Sequence, residues 1–338
     1  MRQTGRILMI FGLIVGLVIS SQFAVASQDE WEKVMAAAKK EGKVGVMGPL
    51  GTDTRDSLTQ PFMKKYGITV DYFGGRGGQQ STRAGLERRA GRYIWDVFVG
   101  GTTTGLTAMI PMKAFDPLEP ALILENVKNP KKWRDGYLEF VDPRREMLVM
   151  LPTQRVILSV NPELVKPREF KSYKDLLKPK WKGKIVFADP RRPGSAQATF
   201  MFFMLHPELG ESFIRKLANH DPVIIGDPAL AMDSVTRGKY PILLAPRSTI
   251  LGDALRRGLP IKIVTPSEIK EGSDISPGAG ALAMFNKAPH PNAAKVYINW
   301  LLTREGQYGF AKAVGYVSRR LDVPSDYYES WRVPQAGA

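Results

Sequence analysis

The 338-residue chain has no cysteine and only three histidines, His206, His220 and His290. The first absence excludes disulfide scaffolds, thiolate zinc sites, iron–sulfur ligation and cysteine nucleophiles. The second leaves too few imidazoles for a histidine-rich metal centre. Also missing are a Gly-x-x-x-x-Gly-Lys-Ser/Thr phosphate loop, a His-Glu-x-x-His helix and a Gly-x-Ser-x-Gly elbow, so these catalytic signatures give no reason to expect an enzyme. Gly75-Arg76-Gly77-Gly78-Gln79-Gln80 comes near a dinucleotide fingerprint but ends in glutamine. No cofactor, catalytic residue or metal-ligand set is expected.

Long apolar runs are scarce as well, the clear one being Ile7–Ile19. It falls short of the ~20 residues that a membrane-spanning helix requires. With Arg2 and Arg6 ahead of it and Ala24-Val25-Ala26 behind, residues 1–26 read as a secretory signal cleaved after Ala26. A lipoprotein would need a cysteine at that point, so the mature chain is expected in the periplasm.

Acidic residues are the scarcer sign, 33 Asp+Glu against 48 Lys+Arg, and losing Arg2 and Arg6 with the leader takes the formal charge from +15 to +13. Two readings of the excess stand: attraction of anionic small molecules by the summed field, or solubility charge on helix faces, as at Lys39-Lys40 and Lys131-Lys132. The basic residues form no long run interleaved with aromatics, so nucleic acid is not an expected partner.

Hydrophobic periodicity and Gly-rich breaks divide the mature chain into alternating helices and strands. Strands Val44–Met47, Ile68–Phe73 and Ile94–Val99 are each followed by a Gly- or hydroxyl-rich loop, at 48–53, 74–82 and 100–104, that opens a helix. This alternation predicts an α/β fold, a parallel sheet with helices on its faces. Leu148–Val160, broken by Pro152-Thr153-Gln154-Arg155, reads as a crossing into a second lobe built the same way. There the loops Asp189–Ser195 and Pro246–Thr249 follow strands Lys184–Ala188 and Tyr240–Ala245. Ser276–Phe285 returns the chain to the first lobe, and two crossings make a hinge with a cleft between the lobes. The division is then 27–152 with 279–338 for lobe one and 153–278, hinge crossings included, for lobe two.

Ligands of open α/β sheets bind at the carboxyl ends of the strands. That rule selects Thr52, Arg76, Gly77, Gly78, Gln79 and Thr102 on one side of the cleft and Ser195, Arg247 and Ser248 on the other, with Arg83 a further candidate. Helix N-termini and a guanidinium suit an oxyanion. The alternatives are tight turns for the glycine loops and an interlobe salt bridge or a solvated loop charge for Arg247. His206 and His220 read as polar residues flanking a helix, and His290 as a surface residue.

The order of several segments resembles the family 1 extracellular solute-binding proteins of ABC importers. These are Phe62-Met63-Lys64-Lys65-Tyr66-Gly67-Ile68-Thr69-Val70, Trp95-Asp96-Val97, Tyr173–Ile185, Ala188-Asp189-Pro190, His290–Lys295, Trp300-Leu301-Leu302 and Glu305-Gly306-Gln307. The resemblance implies a type II periplasmic binding protein: a monomer whose two lobes close on a solute and dock on a membrane permease. Within it, the sequence is most similar to the ferric-iron-binding branch, which carries an adjacent tyrosine pair after the strand that here is Tyr240–Ala245. This chain has Ala245-Pro246-Arg247-Ser248-Thr249 there, while Tyr327-Tyr328 falls in the tail. A guanidinium has donors and no acceptor, so it cannot ligate a metal. The expected ligand is a small carboxylate-, phosphate- or phosphonate-bearing solute. Ferric iron, or presentation of the ligand to a periplasmic sensor kinase, remain alternatives.

Overall fold

The computed structural model describes residues 28–324, 326–328 and 333; the leader and its Ala26 cleavage point lie outside the described residues. Helix α1 (28–41) buries Val34 and Ala38 and hands the chain through Gly42 to β1 (Lys43–Gly48). Helix α2 (Thr52–Tyr66), β2 (Thr69–Gly74), α3 (Gly77–Arg89) and β3 (Val97–Gly100) follow. β1 pairs in parallel with β2 on one side and β3 on the other, because each intervening helix carries the chain back to the end of the sheet where β1 began. Val97 and Val99 enter one core and Phe98 the other, so the sheet is covered on both faces.

After β3 come α4 (Thr102–Thr104), running on as a π-helical turn, then β4 (Phe115–Asp116), α5 (Glu125–Lys128), β5 (Glu139–Phe140) and β6 (Met147–Val149). β7 (Thr153–Gln154) crosses to the second lobe. That lobe holds β8 (Leu158–Val160), β9 (Ile185–Ala188), α6 (Ser195–Leu205), α7 (Gly210–Ala218), β10 (Val223–Ile225), α8 (Pro228–Thr236), β11 (Ile242–Leu244), α9 (Ser248–Arg256) and β12 (Lys262–Ile263). β13 (Ile275–Ser276) lies antiparallel to β7, and the pair forms the two-stranded connection between lobes. β14 (Ala281–Phe285), α10 (Pro291–Leu301) and α11 (Arg304–Val314) complete lobe one.

The sheet orders are β2-β1-β3-β14-β6-β5, with β4 on β14, and β10-β9-β11-β8-β12. Both sheets are mixed, which corrects the expectation of parallel ones. β14 arrives from the other lobe and runs against β3 and β6, while β8, entering from the hinge, runs against β11. Among the described residues no helix is long and apolar enough to cross a membrane.

Two buried polar side chains tie lobe one together. The Asp96 carboxylate accepts the backbone N–H of Gly45 at 2.6 Å and of His290 at 2.7 Å, and it lies 2.9 Å from His290 Nδ1. Burial raises its pKa, and these hydrogen bonds oppose the shift. His290 is therefore a half-buried anchor at the start of α10, correcting its reading as a surface residue. Asn299, fully buried in α10, accepts the N–H groups of Ile123 and Leu124 at 2.9 Å each and donates to the Ala121 carbonyl at 2.7 Å.

Asn299→Ala leaves those backbone groups buried and unpaired, which should cost about 2–4 kcal/mol. Urea unfolding checks this, and a loss below about 0.5 kcal/mol, the scale of an indifferent surface change, contradicts it.

Candidate functional site

The loops after β1, β2, β3, β9, β10 and β11 face one another across the two lobes and enclose a cavity of about 880 Å³. Thr153, Arg155, Ser276 and Gly278 of the two crossings and Tyr316 from the segment after α11 line it as well. Helices α3, α6, α8 and α9 all begin at this cavity. Their first-turn N–H groups have no intrahelical acceptor, and the positive ends of their dipoles point the same way.

Seven arginines and only two carboxylates line the cavity: Arg76, Arg83, Arg92, Arg155, Arg191, Arg192 and Arg247 against Glu87 and Asp189. Several are already committed to partners. Arg83 bonds Glu87 at 2.9 Å and lies over the Phe73 and Trp95 rings. Arg155, buried, pairs with Asp274 at 2.8 Å and donates to the Ser195 carbonyl at 3.3 Å. Arg191 grips Asp189 through Nε and Nη2 at 2.9 and 2.8 Å, and Arg76 reaches Asp227 at 2.7 Å. Arg92 is exposed to water.

Arg247 is different. It is half-buried, it occupies the N-cap position of α9, and it forms no ion pair among the described residues. Burial holds its pKa below the ordinary arginine value; Tyr316 opposes that shift, Arg76 adds to it and Asp227 opposes it. The guanidinium remains protonated, so this is a partly desolvated cation with no carboxylate in ion-pair contact among the described residues. Arg76 likewise occupies the N-cap position of α3. Capping positions favour Ser, Thr, Asp or Asn, and a cation at a helix N-terminus opposes the dipole. Two such violations at one cavity mark a place shaped by something other than stability.

Of the residues selected from the sequence, Arg76, Gly77, Gly78, Gln79, Ser195, Arg247 and Ser248 line the cavity, as does Arg83. Thr52 and Thr102 do not: Thr52 is exposed at the start of α2, and Thr103 and Thr104 take the lining positions in place of Thr102. Gln79 spends its Oε1 on the Arg76 backbone N–H, and the Ser195 hydroxyl donates to the Ala245 carbonyl. A β-carbon on Gly77 would fall 2.1 Å from Thr104 Oγ1 and 3.6 Å from the Pro193 carbonyl oxygen, so the lobes approach closely there. Arg155, Tyr316 and the Gly226-Asp227-Pro228 loop escaped the sequence reading. The last carried a usable sign, an Asp-Pro helix start directly after a strand.

The tyrosine pair stands elsewhere. Tyr327 meets both Tyr328 and Tyr308 of α11 edge to face, and Tyr240 packs against the second lobe's core. None of the four lines the cavity.

Arg191 holds Asp189 well below the usual carboxylate range, at about 2, through its side-chain bonds first and its backbone N–H second. The stability this pair contributes is present above the ordinary carboxylate pKa and is lost as pH falls through about 2. An NMR titration should give an Asp189 midpoint near 2 in the wild type and a higher one, part of the way back to 3.8, in Arg191→Gln, which keeps the backbone N–H. An unchanged midpoint in the variant contradicts the assignment.

The sequence profile of bacterial extracellular solute-binding proteins matches residues 57–334. Solved structures of type II periplasmic binding proteins share the fold. A two-component system protein of signal transduction is 18% identical with a TM-score of 0.68, covering 86% of this chain and 91% of that one. Iron-bound HitA from Pseudomonas aeruginosa is 17% identical with a TM-score of 0.64, covering 87% and 90%. AfuA from Actinobacillus pleuropneumoniae, with fructose-6-phosphate bound, is 15% identical with a TM-score of 0.62, covering 87% and 89%.

Proposed function

The chain belongs to the bacterial extracellular solute-binding protein family, and from that premise we propose that its solute is a small organic anion, carboxylated or phosphorylated, held in the cleft and passed to an ABC permease. The observation that carries this reading is Arg247, a half-buried guanidinium without an ion-pair partner among the described residues, in a cavity lined by seven arginines and two carboxylates. A guanidinium fork matches the two oxygens of a carboxylate or phosphate, and first-turn N–H groups can donate to the remaining anionic oxygens. Nothing in the arrangement supplies a nucleophile with its base.

Size favours an organic anion over a bare one. The cavity of about 880 Å³ lies in the ~300–1,000 Å³ range of small-molecule sites, and an inorganic oxyanion would leave most of it to water. The fructose-6-phosphate in AfuA is a ligand of this kind. Ferric iron fits less well: the tyrosine pair is away from the cleft, and a trivalent cation would enter against an excess of guanidinium charge.

Capture then needs few steps. The anion meets Arg247 and the α9 N-terminus in lobe two, the lobes rotate about β7 and β13, and the α3 N-terminus of lobe one closes over it.

A thermal-shift screen of organic acids, sugar phosphates, phosphonates and ferric salts tests the reading. An anion at a hundred times its Kd should add ~2.7 kcal/mol of stability, and Arg247→Ala should remove ~2–5 kcal/mol of binding energy. Ferric salts should give no phenolate charge-transfer band. Shifts only with neutral sugars, or unimpaired binding by Arg247→Ala, contradict the anion site.

A further inference from the structure

Arg76 and Asp227 belong to different lobes, and each sits at the N-cap position of a helix. Asp227 divides its carboxylate. Oδ1 accepts the Ala229 N–H at 2.7 Å and caps α8, while Oδ2 receives Arg76 Nη2 at 2.7 Å across the cleft. Both side chains are about one-third exposed, so this contact is partly shielded from water. Arg76 Nε is buried with no protein acceptor, which means the guanidinium is drawn into place by its Nη2 end alone. The same Asp227 carboxylate attracts Arg247, which Arg76 repels. One carboxylate therefore serves two guanidinium groups that line the same cavity.

We propose that Asp227 is a positioning residue that draws Arg76 from lobe one across the mouth of the cleft, so that the second guanidinium of the anion site is in place only when the lobes are closed. The part played by Arg76 once there rests on the anion reading, whereas the closure itself can be measured with no anion present. A 2.7 Å ion pair cannot survive hinge opening, because the two residues ride on separate lobes. With the lobes apart, Asp227 loses Arg76 and is left to Arg247, which it attracts. A bound anion takes over that duty, which leaves Asp227 to Arg76 and couples ligand charge to closure. Asp227 need not touch the ligand.

The absence of cysteine allows spin labels at two introduced cysteines, Leu106→Cys in lobe one and Leu230→Cys in lobe two, both exposed positions. Pulsed EPR distances are then read in the ligand-free protein. Asp227→Asn keeps a good N-cap for α8, so it breaks the pair without undermining the helix, and Arg76→Gln breaks it from the other side. Each should move the closed-to-open ratio toward open by about threefold, and the double variant should move it no further than either single one. Asp227→Glu should recover part of the closed population. With inorganic phosphate as a probe, both single variants should release it faster, Arg76→Gln the more so because it also removes a guanidinium of the site. Unchanged distance distributions in both singles, or a double variant shifted by the product of the two, overturns the proposal. Distance shifts of the predicted kind uphold it whatever phosphate does, and failure of phosphate to bind bears on the anion site alone.

Discussion

Like charges facing one another across the gap between the lobes are the constraint on which this cleft is built. Seven arginines line it with two carboxylates, and the positive ends of four helices point into the same space. The structure relieves most of the repulsion internally, through the Glu87, Asp274, Asp189 and Asp227 pairings. What remains is concentrated at Arg247. In the proposed reading an outside anion relieves it, entering and leaving as the lobes open and close. The proposed reading also accounts for arginine at two helix N-caps: the local cost falls on α3 and α9, and a bound anion would offset it.

The hinge and the site are mechanically continuous. Arg155 sits one residue beyond β7, pairs with Asp274 one residue before β13, and donates to the Ser195 carbonyl at the first turn of α6. Burial pushes the Asp274 carboxyl up, and Arg155 opposes that shift. A rotation about the two strands therefore moves the start of α6 with it. Gly278, at a φ of +52°, lets the return crossing pass against the Tyr316 ring, where a β-carbon would lie 2.4 Å from Tyr316 Oη. Any other residue there would push the crossing off the tyrosine that lines the cavity.

Much of this was legible in the sequence because the signs were local. Each strand of the alternating runs ends in a glycine- or hydroxyl-rich loop, and the rule that ligands sit at strand carboxyl ends brought Arg76 to Gln79, Ser195, Arg247 and Ser248 to the cavity. Errors came where a single residue of helical rotation, about 100°, decides the facing direction. Thr102 was selected, and Thr103 and Thr104 line the cleft. Long-range contacts left no local sign at all. The Arg76–Asp227 bridge joins residues 151 positions apart, and Asp96 meets His290 across 194. The direction of β14 was hidden for the same reason: the return of Ser276–Phe285 to the first lobe could be read, but not that the strand would run against β3 and β6.

Mass spectrometry of the small molecules released by denaturing the natively exported protein bears most directly on the cleft's charge logic. The account predicts an organic carboxylate or phosphate ester in near-stoichiometric amount, lost when Arg247→Ala is exported and treated identically. A neutral sugar, a cationic amine or ferric iron recovered in that amount would contradict it.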